Sequence, residues 1–188
     1  MSNSDPAWRL TDEALTLILH AENDIISQAQ EINYYSEPSQ ASRLGGTFSG
    51  ESWRREVAVM RLIAAVEAFT DAASEHYFRV KCLPQPKQPF TWPARVKHYQ
   101  REHSIDLKTC AGGDALFAGV DLRNCVAHGL GRLTDLLLHD SRLGERGKHI
   151  SVNVAGNRMQ TTHETVPLLA EGCRAFVLDV EGKLVSSA

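Results

Sequence analysis

The sequence lacks any long apolar run. Its first apolar stretch, Leu15 to Leu19, is followed at once by His20, Glu22 and Asp24. This stretch is far shorter than the ~18 residues that a membrane-spanning helix needs. The start of the chain is acidic, whereas a signal peptide begins with positive charge. We therefore expect no membrane contact and a cytoplasmic location.

Cysteine is scarce and scattered. The four cysteines, Cys82, Cys110, Cys125 and Cys173, include no Cys-x-x-Cys pair. Paired cysteines at short spacing are typical of zinc ribbons, and dense cysteine is typical of small disulfide scaffolds. The sequence therefore predicts neither class of protein, and we expect no metal site and no cofactor.

A strong excess of positive charge is also missing. The net charge of -3 excludes a protein that bulk charge alone would hold on nucleic acid. The charge is nevertheless unevenly distributed, because residues 1–37 carry seven acids against the single base Arg9. Residues 79–108 carry seven bases against Glu102 and Asp106. A polyanion would therefore favour the middle of the chain.

The spacing of apolar residues along the chain is mainly helical. With 188 residues and 43% hydrophobic composition, the chain fits a single soluble domain over residues 1–188. Apolar residues recur every three or four positions over about 12–34, which predicts an amphipathic helix capped by Thr11. Ser52 is the expected cap of a second helix that reaches Phe78 and is apolar on nearly all sides, as in the centre of a bundle. The break between these helices is marked by Pro38, Gly45, Gly46 and Gly50.

Breaks and turns divide the second half of the chain. Four prolines over 84–93 predict an extended connector before a short helix at about 93–102. Asp114 is the expected cap of a helix that ends at His128, with Gly129 just beyond it. A polar loop over 140–147, a β-hairpin and a last helix capped by Thr165 complete the chain. The hairpin is predicted from alternation around a Gly-Asn turn at 156–157.

These elements define the expected fold class. We predict an all-α bundle of four to five helices, in which residues 139–165 form a loop and small β-hairpin inserted before the last helix. No internal repeat is visible in the sequence.

One segment concentrates functional side chains near a helix end, namely Arg123-Asn124-Cys125-Val126-Ala127-His128-Gly129. Asn124 and His128 are four residues apart, so the amide could orient the imidazole from the same helix face. Arg123 and His128 are ~140° apart around the helix, so they could flank a bound phosphate. RNA cleavage without a metal needs proton-transfer groups and a cation, because the ribose 2'-hydroxyl is itself the nucleophile. Arg123, Asn124 and His128 are therefore the candidate catalytic residues.

The motif Arg-Asn-x-x-x-His-Gly, between a long apolar helix and a closing helix, resembles the HEPN superfamily (higher eukaryotes and prokaryotes nucleotide-binding). The motif of that family is Arg-x4-6-His, often with Asn after the Arg. The resemblance covers the helices between about 12 and 184, and 139–165 look like an insertion. It implies a homodimer in which Arg123, Asn124 and His128 of two chains form one composite ribonuclease site.

The resemblance also implies a reaction and a setting. Family members are commonly toxins of toxin-antitoxin pairs, antiviral effectors or RNA-processing enzymes, and they typically leave a 2',3'-cyclic phosphate and a 5'-hydroxyl without a metal. We therefore expect an endoribonuclease with RNA as its substrate. An inactive HEPN module for dimerisation or for nucleotide or partner binding is an alternative. A further alternative is a HEPN subunit that a paired nucleotidyltransferase targets.

The motif also has a purely structural interpretation. In it, His128 caps an exposed helix end and Arg123 pairs with Asp121 or Glu67. Glu67 is itself unusual because it interrupts an apolar helix. It could support Arg123, or it could be a buried counter-ion of a different arginine, with Arg61 and Arg132 as the two candidates.

Basic residues of two segments could follow an RNA backbone, and they are Arg95, Lys97, Arg101, Arg142, Arg146 and Lys148. Trp92 and Tyr99 would be available for base stacking. An ordinary solvated helix face explains the basic residues about as well. The remaining histidines, including His98 and His103, form no site by their spacing.

Overall fold

The computed structural model describes residues 6–32, 50–129, 132–133 and 135–186. The helices and strands follow in chain order as α1 (Pro6–Ile32), α2 (Gly50–Val80), α3 (Trp92–His103), α4 (Gly113–Gly129), α5 (Asp135–Leu138), α6 (Leu143–Lys148), β1 (Asn153–Ala155), β2 (Arg158–Gln160) and α7 (Thr165–Ser186). The described chain is thus mostly helical. Its small antiparallel hairpin lies directly before the last helix, as the sequence predicts.

Helix α2 lies at the centre of the packed helices. Its side chains Val59, Leu62, Ile63 and Val66 are all completely buried. Helices α1, α4 and α7 each pack against α2, and α7 also packs against α1 and α4. Full burial of one such aliphatic side chain stabilises the folded state by about 1.5–3 kcal/mol. The apolar interior of α2 therefore explains why this helix becomes the core.

The predicted helix starts are wrong by one to six residues. Helix α1 begins at Pro6, where proline suits the first turn, so Thr11 lies inside the helix. Helices α2 and α4 begin before Ser52 and Asp114, and α7 begins at Thr165 itself. The Thr165 hydroxyl accepts a 2.8 Å hydrogen bond from the backbone N–H of Thr162, which lies before the helix. The breaks predicted at Pro38, Gly45 and Gly46 lie outside the described residues.

The connector between α2 and α3 has no regular secondary structure over residues 83–89, as its prolines predict. Helix α3 then starts with Thr91 as its N-cap, whose side chain accepts from the backbone N–H of Ala94 at 3.4 Å. None of the described helices combines the length and the apolar character that crossing a membrane requires.

The predicted insertion contains a short helix in addition to the small hairpin. Helix α6 occupies most of the expected polar loop, and it packs against α4. The strands are only three residues each, and the positive φ of 50° at Ser151 interrupts the extended backbone before β1. Ile150 and Val152 are therefore buried beside the hairpin and not within it. The backbone N–H of Leu133 donates to the carbonyl of Asn157 at 3.0 Å, which ties the hairpin turn to the segment after α4.

Gly112 sets how closely the start of α4 approaches α7. Its φ is +71°, and a Cβ there would lie 2.1 Å from the carbonyl oxygen of Gly172. Gly112→Ala should lower the free energy of unfolding by about 2 kcal/mol or more, since left-handed strain adds to a clash with rigid backbone. Urea denaturation measures the change.

Gly182→Ala is the matched control on α7, because no atom lies within 4 Å of its added Cβ. This change should raise the free energy of unfolding by up to about 1 kcal/mol through helix propensity. Equal stabilities of Gly112→Ala and the wild type would contradict the close contact between the start of α4 and α7.

Candidate functional site

Arg123 and Asn124 lie together on the outward side of α4. Leu122 and Cys125 of the same turn are buried in the core, which leaves Arg123 and Asn124 only partly buried. Arg123 Nη1 donates a 3.2 Å hydrogen bond to Asn124 Oδ1. Arg123 Nη2 lies 3.8 Å from Glu67 Oε2 of α2. The structure thus brings together three of the sequence-predicted residues.

His128 is exposed in the last turn of α4. Among the described residues, no side chain forms a hydrogen bond with its imidazole. The expected bond from Asn124 is absent, and the Asn124 amide oxygen accepts from Arg123. The imidazole of His128 is therefore open to a substrate but is not oriented by Asn124.

Glu67 lies between two arginines. Its Oε1 is 4.0 Å from Arg95 Nη1, and its Oε2 faces Arg123. Arg61, one of its predicted counter-ions, pairs instead with Asp24 of α1. Within the described part of the chain Glu67 makes no ion pair with Arg132, the other candidate. Glu67 therefore lies within ion-pair distance of Arg123, which both the supporting role and the purely structural interpretation of the motif expect.

Arg95 is a structural residue and not a surface cation. Its side chain is only 4% exposed, and its Nη2 donates to both carboxylate oxygens of Asp71 at 2.8 and 2.9 Å. Its guanidinium also lies over the buried ring of Trp92, 5.1 Å from the centroid. Tyr99 is buried too, and its hydroxyl donates to the carbonyl of Thr70 at 2.6 Å. The prediction that Arg95, Trp92 and Tyr99 contact RNA is therefore wrong, because all three side chains are buried.

Four of the other predicted RNA-binding residues are exposed, namely Lys97, Arg101, Arg142 and Lys148. Arg101 and Lys148 each pair with a neighbouring glutamate. Such exposed pairs are weak, so a phosphate could replace the glutamate. The structure therefore leaves these four residues available to a polyanion.

Arg146 is held between two carboxylates. Its Nε donates to Asp121 at 2.7 Å, and its Nη2 donates to Asp140 at 2.8 Å. Burial raises the pKa of Asp121, whereas the hydrogen bond from Arg146 lowers the pKa of Asp140. Because Asp121 belongs to α4, Arg146 anchors α6 two residues before Arg123. Arg146 thus holds α6 against α4 close to Arg123. Its guanidinium is occupied by two carboxylates, which does not fit the expected contact with RNA.

A buried histidine pair was missed by the sequence analysis. Ser74 Oγ lies 3.0 Å from His98 Nε2 and 2.9 Å from His103 Nε2, and all three side chains are buried. A single hydroxyl carries a single proton, so Ser74 donates to one imidazole and accepts from the other. Burial lowers the pKa of His98, and it lowers the pKa of His103 to about 4. Both imidazoles are therefore neutral near pH 7.

Spacing along α3 alone does not reveal this pair, because its shared hydroxyl comes from α2. The available signal was on α2, where Glu67, Asp71 and Ser74 recur at intervals of four and three residues within an apolar helix. Such a polar stripe predicts a face that meets polar partners. Here those partners are Arg95 and His98 of α3.

The lowered pKa of His103 predicts a loss of stability in acid. Unfolding returns the imidazole to an ordinary pKa near 6.5, so the unfolded state binds more protons below that pH. The stabilisation is complete above pH 6.5 and is lost as the pH falls toward about 4. Between pH 7 and pH 5, urea denaturation should show a decrease of about 2 kcal/mol.

His103→Gln stays neutral and should remove most of this pH dependence, whereas the exposed His20→Gln should retain it. If His103→Gln and the wild type lose the same stability between pH 7 and pH 5, another group is responsible for it.

No group of three or more His, Cys, Asp or Glu side chains is placed to hold a metal ion within the described ranges. The chain matches no protein-family model, no curated protein and no solved structure. The resemblance to the HEPN superfamily therefore rests on the motif of Arg123, Asn124 and His128 and on the helical pattern around it.

Proposed function

We propose that the protein is a metal-independent endoribonuclease of a toxin-antitoxin or antiviral defence system. It cleaves RNA at a composite site formed by two copies of the chain. The observation that carries the proposal is the exposed His128 imidazole, which lies five residues further along α4 than Arg123. Glu67 and Asn124 hold the guanidinium of Arg123 in place. A proton-transfer group and a phosphate-binding cation are thus available on one helix.

The chemistry needs only these groups and the RNA itself. An imidazole removes the proton of the ribose 2'-hydroxyl, and the oxygen attacks the adjacent phosphorus. The bond from phosphorus to the 5'-oxygen breaks, and an imidazolium gives that oxygen its proton. Arg123 binds the non-bridging oxygens and stabilises the charge that develops there. The products are a 2',3'-cyclic phosphate and a 5'-hydroxyl.

Glu67 has a positioning role in this proposal. Its carboxylate is 3.8 Å from Arg123, so the ion pair restrains the guanidinium without a short hydrogen bond. A phosphate can then offer Arg123 a closer and bidentate partner. Arg95 in turn holds Glu67 from the buried side.

A homodimer supplies the second imidazole. Attack and departure occur on opposite sides of the phosphorus, and one His128 cannot serve both sides at once. Two copies whose α4 ends converge would place one imidazole on each side. An antitoxin or a paired nucleotidyltransferase would be a further partner.

Incubation of the purified protein with labelled RNA in EDTA tests the proposal, together with light scattering at micromolar concentration. We expect cleavage in EDTA and a particle of twice the chain mass. A strict monomer, or a dimer that leaves the RNA intact, would favour an inactive module that binds a nucleotide or a partner.

The exposed cations of α3 should contribute to RNA affinity. Reversing Lys97 and Arg101 to Glu should weaken binding and lower the slope of log affinity against log salt by about 1 for each lost phosphate contact. Filter binding over a range of salt concentrations measures both effects. Arg9→Glu, at an exposed position of α1 outside the basic segment, is the control, and an equal loss for each reversed charge in the two variants would assign the effect to net charge alone.

A further inference from the structure

Two arginines lie directly opposite each other beside the hairpin. Arg132, in the segment after α4, and Arg158, the first residue of β2, form an isolated antiparallel bridge. The residues that follow them, Leu133 and Met159, are only 8% and 4% exposed. Side chains alternate between the two faces of extended backbone, so Arg132 and Arg158 share the opposite face, where both are exposed to solvent.

This arrangement places two like charges side by side. Side chains that face each other across an antiparallel pair have Cβ atoms about 4.5–5.5 Å apart, and like charges at such positions are destabilising. Within the described ranges, no carboxylate lies within ion-pair distance of either guanidinium. Glu56 of α2 interacts electrostatically with Arg158 from further away, and its carboxylate accepts a 3.4 Å hydrogen bond from Ser52. An anion bound between the two arginines would balance their charge.

The hairpin holds this pair of arginines close to the candidate catalytic motif of α4. Met159 packs against α4, and its Sδ lies 3.5 Å from the Sγ of Cys125, a buried residue within the motif. Arg132 is only four residues beyond His128, so the Cα atoms of these two residues are at most about 14 Å apart. One RNA strand can therefore contact the arginine pair and the motif together.

We propose that Arg132 and Arg158 together bind one phosphate group of the RNA, close to the phosphate that Arg123 binds. Each guanidinium offers N–H donors to the phosphate oxygens, and the bound anion relieves the repulsion between the two side chains. The ligand is a phosphodiester, and a phosphate contact carries no base information, so this contact should not depend on the RNA sequence. The proposal rests on the proposed ribonuclease function for the identity of the strand, but binding is measurable without cleavage.

Binding of a fluorescently labelled, short 2'-fluoro RNA oligonucleotide in EDTA, followed by anisotropy, tests the proposal. The fluorine replaces the hydroxyl that would attack the phosphorus, so the strand stays intact. Arg132→Gln and Arg158→Gln should each weaken binding about tenfold, because each removes a charge-assisted hydrogen bond to the phosphate. In the double variant, the slope of log affinity against log salt should fall by about 0.7, the value for one phosphate of a single strand.

Thermal unfolding without RNA tests the repulsion between the two arginines. Arg132→Gln should melt about 1–2 °C above the wild type at low salt, because it removes one of two facing like charges. High salt screens exposed charges and should reduce this difference. An unchanged or lower melting temperature at low salt would contradict the unbalanced pair.

Arg9→Gln, at an exposed position of α1, is the matched control and should bind the oligonucleotide as tightly as the wild type. A wild type that does not bind, unchanged affinity in Arg132→Gln or Arg158→Gln, or an equal loss in Arg9→Gln would overturn the proposal. A slope that falls by about 1.4 in the double variant would give each arginine its own phosphate and would overturn the shared site. A wild type that binds the oligonucleotide but leaves ordinary RNA intact would contradict the proposed ribonuclease function alone.

Discussion

Replacing His128 with alanine is expected to lower the rate of RNA cleavage by about 10²–10⁴-fold, because the change removes the proton-transfer group. The side chain is exposed at a helix end, so the protein should stay folded and keep its oligomeric state. Single-turnover cleavage of labelled RNA measures the rate, and urea denaturation checks the fold. His20→Ala, at an exposed position of α1, is the matched control and should cleave at the wild-type rate.

The neighbouring residues of the motif should show graded effects in the same assay. Arg123→Ala should be as severe as His128→Ala, because it removes the cation that binds the phosphate. Asn124→Ala should be milder, since Asn124 only holds Arg123 through its amide oxygen. Wild-type rates in the Arg123 and His128 variants would make the motif structural and would favour the interpretation as a binding module.

Asp71→Ala should lower the free energy of unfolding by about 3 kcal/mol, because it leaves the buried guanidinium of Arg95 without its main partner. The Arg95 side chain is 4% exposed, and Asp71 accepts from it through both carboxylate oxygens. Within the described part of the chain, Arg95 Nη1 already lacks a hydrogen bond, and it lies 4.0 Å from Glu67 Oε1. Urea denaturation at neutral pH measures the loss.

Glu75→Ala is the matched control for Asp71→Ala. Glu75 is four residues further along α2 and also pairs with an arginine, but that arginine, Arg79, has a 70% exposed side chain. An exposed pair contributes less than about 1 kcal/mol, so this variant should remain close to the wild type. Equal losses in the two variants would show that the burial of Arg95 does not determine how much the free energy of unfolding falls.

The sequence predicts the helical bundle well because its strongest signals are local. The apolar interior of α2 and the proline connector each depend on residues close together in the chain, and both appear in the structure as expected. Helix starts are harder to predict, because Thr11, Ser52 and Asp114 all have cap chemistry although the helices begin before them. A cap signal identifies residues that can cap a helix, and tertiary packing decides how far the helix extends.

The candidate site is predicted only where its residues share one helix. Arg123, Asn124 and His128 were found from their spacing on α4, but which of them bond depends on side-chain geometry that spacing does not fix. Arg95 was mistaken for a surface cation because nothing nearby in sequence shows that Asp71, 24 residues earlier, neutralises it. The histidine pair on Ser74 was missed for the same reason. Local sequence patterns thus do not predict the side-chain contacts between different helices.

The ends of the RNA fragments produced in EDTA test the proposed function most directly. Attack by the 2'-hydroxyl predicts a 2',3'-cyclic phosphate on one fragment and a 5'-hydroxyl on the other. Arg123→Ala and His128→Ala should form both products about 10²–10⁴-fold more slowly. Fragments with a 5'-phosphate and a 3'-hydroxyl, or an RNA that the wild type leaves intact, would contradict metal-independent cleavage by this site.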